Sequence, residues 1–332
     1  MKLNYQDFKI QALQFLEELF SLIDHEGIKV EKHWNIDHLC FRVSTDDDYL
    51  KFKNLFLTFS TLLIESEVNG RLISTFKFAE PIQYKNWSIE LVELPAPKKG
   101  KITLQGFEHI EIVVDVPLNE IKKLYPSCTF DEGGLHKEFN QELEISFGKL
   151  AIKFHHLSLE SVINVEKNSK LFLALHGSKV LKTFKNYNPL VSGTFPLDIA
   201  VKNSDIDIIM SSENLDALAD LIEENYKTEH AFKLQRSQTN VIAEFQSQGF
   251  VFELYAEQKP ASLQNAHLHF ILEERLLKLA STDFKKQIVQ LKEAGVKTEP
   301  AFAEALGLTG DAYQALLDIR KKSEAELLTL LP

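Results

Sequence analysis

From residue 5 to residue 25, Phe8, Ala12, Phe15, Leu16, Leu19 and Ile23 recur at the three- and four-residue spacing of one helix face. Gly27 follows where a left-handed C-cap glycine belongs, so the pattern predicts a helix over 5–25. The period then drops to two. Residues 38–43 alternate and predict a strand. Asp46-Asp47-Asp48 opens a second helix that Ser44 or Thr45 can cap, with Tyr49, Phe52, Phe56 and Phe59 on its buried side. Two strands flank Asn69-Gly70, a strong hairpin signal, and a strand over 87–94 stops at Pro95-Ala96-Pro97. The order then recurs: a strand over 107–114, a helix begun by Pro117, and weaker strands ending in 142–147 and 150–155. Strand, helix, strands is written twice, an internal duplication of pattern rather than of residues.

Residues 158–169 end in Glu166-Lys167-Asn168-Ser169, a polar break that sets the expected boundary between a domain over 1–165 and one over 167–332. The second half predicts a helix to about residue 184 and a short strand over 190–192 running into Gly193-Thr194. A strand over 205–210 comes next, then a helix capped by Ser211 or Ser212. Strands near 231–236, 240–246 and 250–255 follow. From 262 onward the pattern is helical, with breaks at Gly295 and near Pro300, Gly307 and Gly310. The expected class is α+β in two domains.

Composition changes the picture only by exclusion. The chain has 332 residues, 44% hydrophobic and 26% charged, an ordinary globular balance. A net charge of -11 argues against a surface for duplex nucleic acid, which needs clustered Lys and Arg. A small polyanion such as a nucleotide stays open, because one local basic cluster or a metal ion is enough to hold it. Two cysteines, Cys40 and Cys128, fit a reducing compartment better than a disulfide framework. The first residues have no apolar h-region, and no apolar run approaches the ~20 residues of a membrane span. The expectation is a soluble, cytoplasmic protein without membrane contact, of undetermined oligomeric state.

Alternation makes specific statements about chemistry in the first half. His38, Cys40 and Arg42 share one strand face, as do His109 with Glu111, and Lys153 with His155. Each strand thus presents an apolar face and a face carrying a histidine and a charged group. Imidazole nitrogens and carboxylate oxygens are ligands for a divalent transition metal such as Zn²⁺, Mn²⁺, Ni²⁺ or Fe²⁺. The same histidines can equally be separate, hydrogen-bonded strand residues. Arg42, Arg71 and Lys153 are candidates to hold an anionic small-molecule substrate, or to form ion pairs.

Asn69-Gly70-Arg71, Val92-Glu93-Leu94-Pro95, Glu108-His109-Ile110-Glu111-Ile112 and Lys153-Phe154-His155 together resemble the YecM family. That family is a branch of the vicinal oxygen chelate superfamily, with glyoxalase I and extradiol dioxygenases. The resemblance covers roughly residues 1–165. It implies paired βαβββ modules curled into a cup around a metal site, with ligands at the start of a module's first strand and on its last strand. Carried over, these are His38 and Glu93 in the first module, and His109 and His155 in the second. The last ligand in glyoxalase-like members is typically a carboxylate, whereas this strand offers His155 beside His156. Glu90, on the opposite strand face, competes with Glu93.

In the second half, Asp205-Ile206-Asp207 projects two carboxylates to one face of a strand. Two such charges repel unless a cation lies between them, and Mg²⁺ bridging nucleotide phosphates is the usual solution. Gly193 allows close backbone approach to a phosphate, and Thr194 can donate to it. Glu253, a lone acid on an apolar strand, supplies a third carboxylate. The Gly-Thr, Asp-x-Asp and Glu arrangement resembles the DNA polymerase β-like nucleotidyltransferase superfamily. Ser192-Gly193-Thr194-Phe195-Pro196, Ser204-Asp205-Ile206-Asp207-Ile208, Gln264-Asn265-Ala266-His267 and Lys297-Thr298-Glu299-Pro300-Ala301-Phe302 further resemble one uncharacterised bacterial family within it. The resemblance implies Asp205, Asp207 and Glu253 as catalytic carboxylates around Mg²⁺, and Gly193, Thr194 and Ser204 as nucleotide-binding residues. A nucleoside triphosphate is the implied substrate. The expectation is a bifunctional enzyme, the alternative a non-catalytic nucleotide- or metal-binding regulator.

Overall fold

The computed structural model describes residues 4–332. Asn4 caps α1 (Tyr5–His25) through a reciprocal capping box with Asp7, and Thr45 caps α2 (Asp46–Phe56). Between and after them run β1 (Asn35–Arg42), β2 (Ser60–Val68), β3 (Arg71–Tyr84) and β4 (Trp87–Pro95). Asn69 and Gly70 have φ of 52° and 76°, the positive values that a two-residue turn between twisted strands demands at both central positions. The second module repeats the order with β5 (Gly106–Val113), α3 (Leu118–Leu124), β6 (Phe130–Asp131), β7 (Glu142–Phe147) and β8 (Leu150–His155).

All eight strands form one sheet, in the order β2-β3-β4-β1-β5-β8-β7-β6. Read outward from the central antiparallel β1–β5 pair, each half lists its strands in the same sequence. β1 pairs β4 in parallel as β5 pairs β8. The duplication legible in the pattern is therefore a duplication of topology. An aromatic cluster holds α1 to the sheet: the Phe8 ring lies 5.7 Å from Phe41, 4.9 Å from Phe56 and 5.0 Å from Phe107. Each buried Phe contributes roughly 1.5–3 kcal/mol. With the helices covering this apolar side, the histidines are left to the other.

The chain separates into two compact units. The first runs to Val114 and includes Leu118–His136 and Glu142–His155. The second comprises His156–Pro332 with Asp115–Pro117 and Lys137–Gln141. The second unit opens with α4 (Leu159–Lys167), α5 (Ser169–Ser178) and α6 (Val180–Thr183). Within the polar run, Glu166 and Lys167 end α4, which Ser158 caps and which buries Ile163 and Val165, and Asn168 separates it from α5. There follow β9 (Leu190–Ser192), β10 (Ile206–Ser211), α7 (Leu215–Tyr226), β11 (His230–Arg236), β12 (Asn240–Ser247) and β13 (Phe250–Glu257). The sheet order is β11-β12-β13-β10-β9, with β10 parallel to β13. Asn214, not Ser211 or Ser212, caps α7, and the Ser212 hydroxyl donates to the Asn214 carbonyl. Five helices close the unit: α8 (Asn265–Leu279), α9 (Thr282–Glu293), α10 (Thr298–Ala305), α11 (Ala312–Ile319) and α12 (Glu324–Leu328). The class is α+β, with two separate mixed sheets. Among the described residues no helix is long and apolar enough to cross a membrane.

One buried group ties stability to pH. His267 on α8 is fully buried, its two ring nitrogens make no hydrogen bond, and its ring meets His156 edge-on at 5.7 Å. Burial, reinforced by His156, pushes its pKa down to about 3. The unfolded chain takes up a proton near pH 6.5 while the folded chain refuses it. Its contribution is therefore complete above that pH and declines as pH falls toward 3, by about 1.4 kcal/mol per unit. His267→Leu is expected to flatten the acid limb of stability between pH 6.5 and 4.5, measured by chemical denaturation at stepped pH. An unchanged slope contradicts this origin.

Candidate functional site

The first unit gathers its chemistry where the modules meet. The β1–β5 ladder sets His38 opposite Glu111 and Cys40 opposite His109, and Glu111 lies beside Lys153 on β8. The Glu111 carboxylate is the hub. Its Oε1 lies 3.6 Å from His38 Nε2 and 3.3 Å from His109 Nε2, and its Oε2 lies 3.5 Å from His155 Nε2. All three imidazoles are buried, and the Nε2 atoms of His38 and His109 make no hydrogen bond. Their Nδ1 atoms are occupied. His38 Nδ1 donates to Asp37 at 2.9 Å and His109 Nδ1 to Glu108 at 3.0 Å. A carboxylate on Nδ1 fixes the tautomer that leaves the Nε2 lone pair inward, as metal-ligating histidines require. A ligand oxygen of Glu93 joins His38 and His109 in a cluster whose atoms all lie within 4.8 Å of one another. A second such cluster is Cys40, Glu108 and His109. Orphaned buried nitrogens with this donor set fit a transition metal.

Charged neighbours hold His38 and His109 toward their protonated form, so a metal arriving at Nε2 must displace a proton. Against the opposing effect of burial, Cys40 and Glu108 carry His109 up to about 10. Burial works against ionisation of Glu111 too, but Lys153 and His38 keep it well below the usual carboxylate range. Aligning His38 with His109 places Cys40 on Glu111 and, through the parallel ladders, Glu93 on Lys153. Glu93 and His155 are thus not register equivalents, since His155 stands two residues further along its strand. Glu90 is paired with Lys77 at 3.0 Å.

Of the three cations singled out from sequence, Arg42 Nε donates to Glu108 at 2.6 Å. Lys153 Nζ lies 3.3 Å from Glu111 and 3.4 Å from Glu142. Arg71 donates to the Ala96 carbonyl, 3.1 Å away. Burial and the adjacent Arg42 push the Arg71 pKa down, and burial with both arginines does the same to Lys98. Sequence reasoning noted Glu111 on the histidine face without making it a ligand, and it missed Asp37, Glu108 and Lys98.

In the second unit, the acids line a cleft of about 1160 Å³ with Ser192, Gly193, Thr194 and Ser204. Asp207 lies beside Glu253 on the parallel β13 and beside Ser192 on β9. Burial first, then Asp205 and Glu253, push the Asp207 pKa well above the ordinary carboxylate value. Burial and Asp205 raise Glu253 as well. The Thr194 hydroxyl is buried and makes no hydrogen bond. The Ser204 hydroxyl accepts from the Val201 amide at 2.9 Å, a bond that leaves its O–H as a donor. A site with crowded, desolvated carboxylates and an orphaned hydroxyl fits a divalent cation with phosphate oxygens. Asp198 is exposed and paired with Lys285 at 2.7 Å.

Gly193 has φ of 72°, and a Cβ there would meet Asp207 Oδ2 at 1.8 Å. The glycine is required as much by the carboxylate beside it as by any ligand. Gly193→Ala combines about 1–2 kcal/mol of left-handed strain with a clash that displaces Asp207. The melting temperature is expected to fall by roughly 3–8 °C, with nucleotide-dependent stabilisation lost. A variant melting like wild type contradicts the packing described.

The cleft's opposite wall was not read from sequence as part of a site. Ala266, His269, Phe270 and Glu273 fall on one face of α8 and line it, with Lys292, Thr298 and Glu299 from the following helices. Lys292 donates to the Thr298 hydroxyl at 2.7 Å, and His269 Nδ1 stands 3.8 Å from Glu299.

Together these features define a two-unit α+β protein with a histidine–carboxylate centre in one unit and an acidic cleft in the other. Residues 4–147 match the family model described as YecM protein, and residues 173–319 match a domain of unknown function, DUF4269. Protein YecM of Escherichia coli (strain K12) is 28% identical over 179 residues, 49% of this chain and 95% of its own. A solved structure from a structural genomics programme is also 28% identical, covering 50% of this chain and 98% of its own, with a TM-score of 0.43. The Cid1 poly(U) polymerase, solved with MgGTP bound, is 19% identical, covering 48% of this chain and 49% of its own, with a TM-score of 0.32. The N-terminal half resembles the YecM family, and the C-terminal half matches the DUF4269 family model.

Proposed function

We propose that the chain is bifunctional: a magnesium-dependent nucleotidyltransferase in its second half, and a transition-metal centre acting on or binding a small anionic substrate in its first. The observation that carries the first claim is Asp207, a partly buried carboxylate crowded by Asp205 and Glu253 beside the orphaned hydroxyl of Thr194. Groups so placed are stabilised together by Mg²⁺ and a triphosphate. Asp205, Asp207 and Glu253 hold the cation, and Thr194, with the backbone at Gly193, holds phosphate. Bound there, Mg²⁺ supplies charge neutralisation of the phosphate oxygens. The acceptor oxygen attacks the α-phosphorus in line, and the new P–O bond forms as the α–β bridging bond breaks. Pyrophosphate departs, and the acceptor's proton passes to solvent.

In the first unit His38, His109 and His155 are the proposed ligands, with Glu93 or Glu111 as the carboxylate. A bound metal supplies Lewis acidity. Arg42, Arg71 and Lys153 orient the substrate's anionic group. Arg71 is the best placed, since it donates to the neutral Ala96 carbonyl rather than to a carboxylate. Melting curves with ATP, GTP, CTP and UTP, with and without Mg²⁺, test the nucleotide claim. At least one pair is expected to raise the melting temperature by roughly 5–10 °C at about 100 times its Kd. No shift with any nucleotide contradicts it. Stabilisation without transfer to any acceptor is the result expected of a regulatory nucleotide-binding domain.

A further inference from the structure

Glu273 has no role in holding a nucleotide's phosphates, yet it is among the most enclosed charged residues of the second unit. Its residue is 3% exposed, it lines the cleft, and its Oε1 makes no hydrogen bond. A buried carboxyl oxygen without a partner costs free energy, and a ligand can recover that cost. The surroundings say which kind. Burial first, then Glu299 and Asp207, disfavour the charged form of Glu273, a bias that Lys292 opposes and that a cation seated on Oε1 would reverse. Seven acidic side chains and four lysines line the cleft. A triphosphate recruits lysines, so it leaves the acids of the helical wall less compensated than before. A neutral hydroxyl would satisfy Oε1 but not the repulsion, and a further anion would deepen it. A second dication needs several ligand oxygens around it, and Glu273 belongs to neither metal-holding cluster found among the described residues. An organic ammonium answers both needs, as a donor to Oε1 and a positive charge among carboxylates.

We propose that the acceptor taken by this cleft bears a protonated amine, seated by Glu273 with Glu299 beside it. This rests on reading the cleft as a nucleotidyl-transfer site, and the two can fail separately. The probes are 1,3-diaminopropane and its uncharged analogue 1,3-propanediol, titrated calorimetrically into the full chain with and without MgATP. The diamine is expected to bind wild type and to bind Glu273→Gln at least tenfold more weakly, while the diol binds neither. MgATP stabilisation serves as the folding control, and Glu299→Gln, at a partly exposed position, gives the same test if Glu273→Gln folds poorly. Equal diamine binding by wild type and both variants overturns the proposal, as does no diamine binding or equal binding of the diol. Diamine binding that depends on Glu273, without any response to MgATP, keeps the amine seat and overturns the transferase reading instead.

Discussion

Asp207→Asn is expected to melt at or above the wild-type temperature without metal, and to lose all stabilisation by Mg²⁺ and nucleotide. The wild-type gain at about 100 times Kd is ~2.7 kcal/mol, or roughly 5–10 °C, and the variant's should be near zero. The reason is visible at the site. Burial, Asp205 and Glu253 disfavour ionisation of Asp207, so its folded pKa lies above its unfolded one. A carboxyl raised in this way contributes stability below its unfolded pKa and loses it as pH rises through the folded value. Asparagine removes that loss, so the variant's advantage should be present near neutrality and vanish below about pH 4. Asp205→Asn should behave alike in nucleotide binding. Destabilisation of both variants with nucleotide response intact would mean the acids are structural.

His109→Ala should reduce bound transition metal from near one ion per chain to near none, measured by elemental analysis of protein purified without chelator. His109 is in both candidate ligand clusters, and its Nε2 faces Glu111 at 3.3 Å. Because Cys40 and Glu108 hold His109 up to about 10, a cation arriving there displaces protons. Affinity for added Zn²⁺ should therefore strengthen as pH rises from 6 to 8, in a competition assay with a chromogenic chelator. Equal metal content in His109→Ala, or affinity independent of pH, contradicts the ligand assignment. Glu93→Gln and Glu111→Gln separate the two carboxylates, and the greater loss should follow Glu111, which approaches all three imidazoles.

Local pattern carried far where neighbours in sequence are neighbours in space. His109 with Glu111, Lys153 with His155, and Asp205 with Asp207 share faces because a strand alternates. The hairpin at Asn69-Gly70 follows from the residues themselves. Glu111 as hub was less legible, because it rests on the β1–β5 register that sets it opposite His38. Asp37 was hidden for a related reason. Strict alternation turns it away from His38, but the ladder shifts between Ile36 and His38, and the Asp37 carboxylate reaches His38 Nδ1. Glu273 sits in a charged stretch, Glu273-Glu274-Arg275, that reads as a solvated helix face. Packing of the later helices encloses it instead. The positions of Asp37 and Glu273 are tertiary facts with no one-dimensional signal.

The central claim is two separate cation-dependent sites on one chain. Native mass spectrometry of the full chain, loaded with one equivalent of Zn²⁺ and with the nucleotide that most stabilises it plus Mg²⁺, tests this most directly. Wild type should carry one transition ion and one nucleotide, His109→Ala the nucleotide alone, and Asp207→Asn the transition ion alone. Loss of both ligands in either variant, or retention of both in each, would contradict the account.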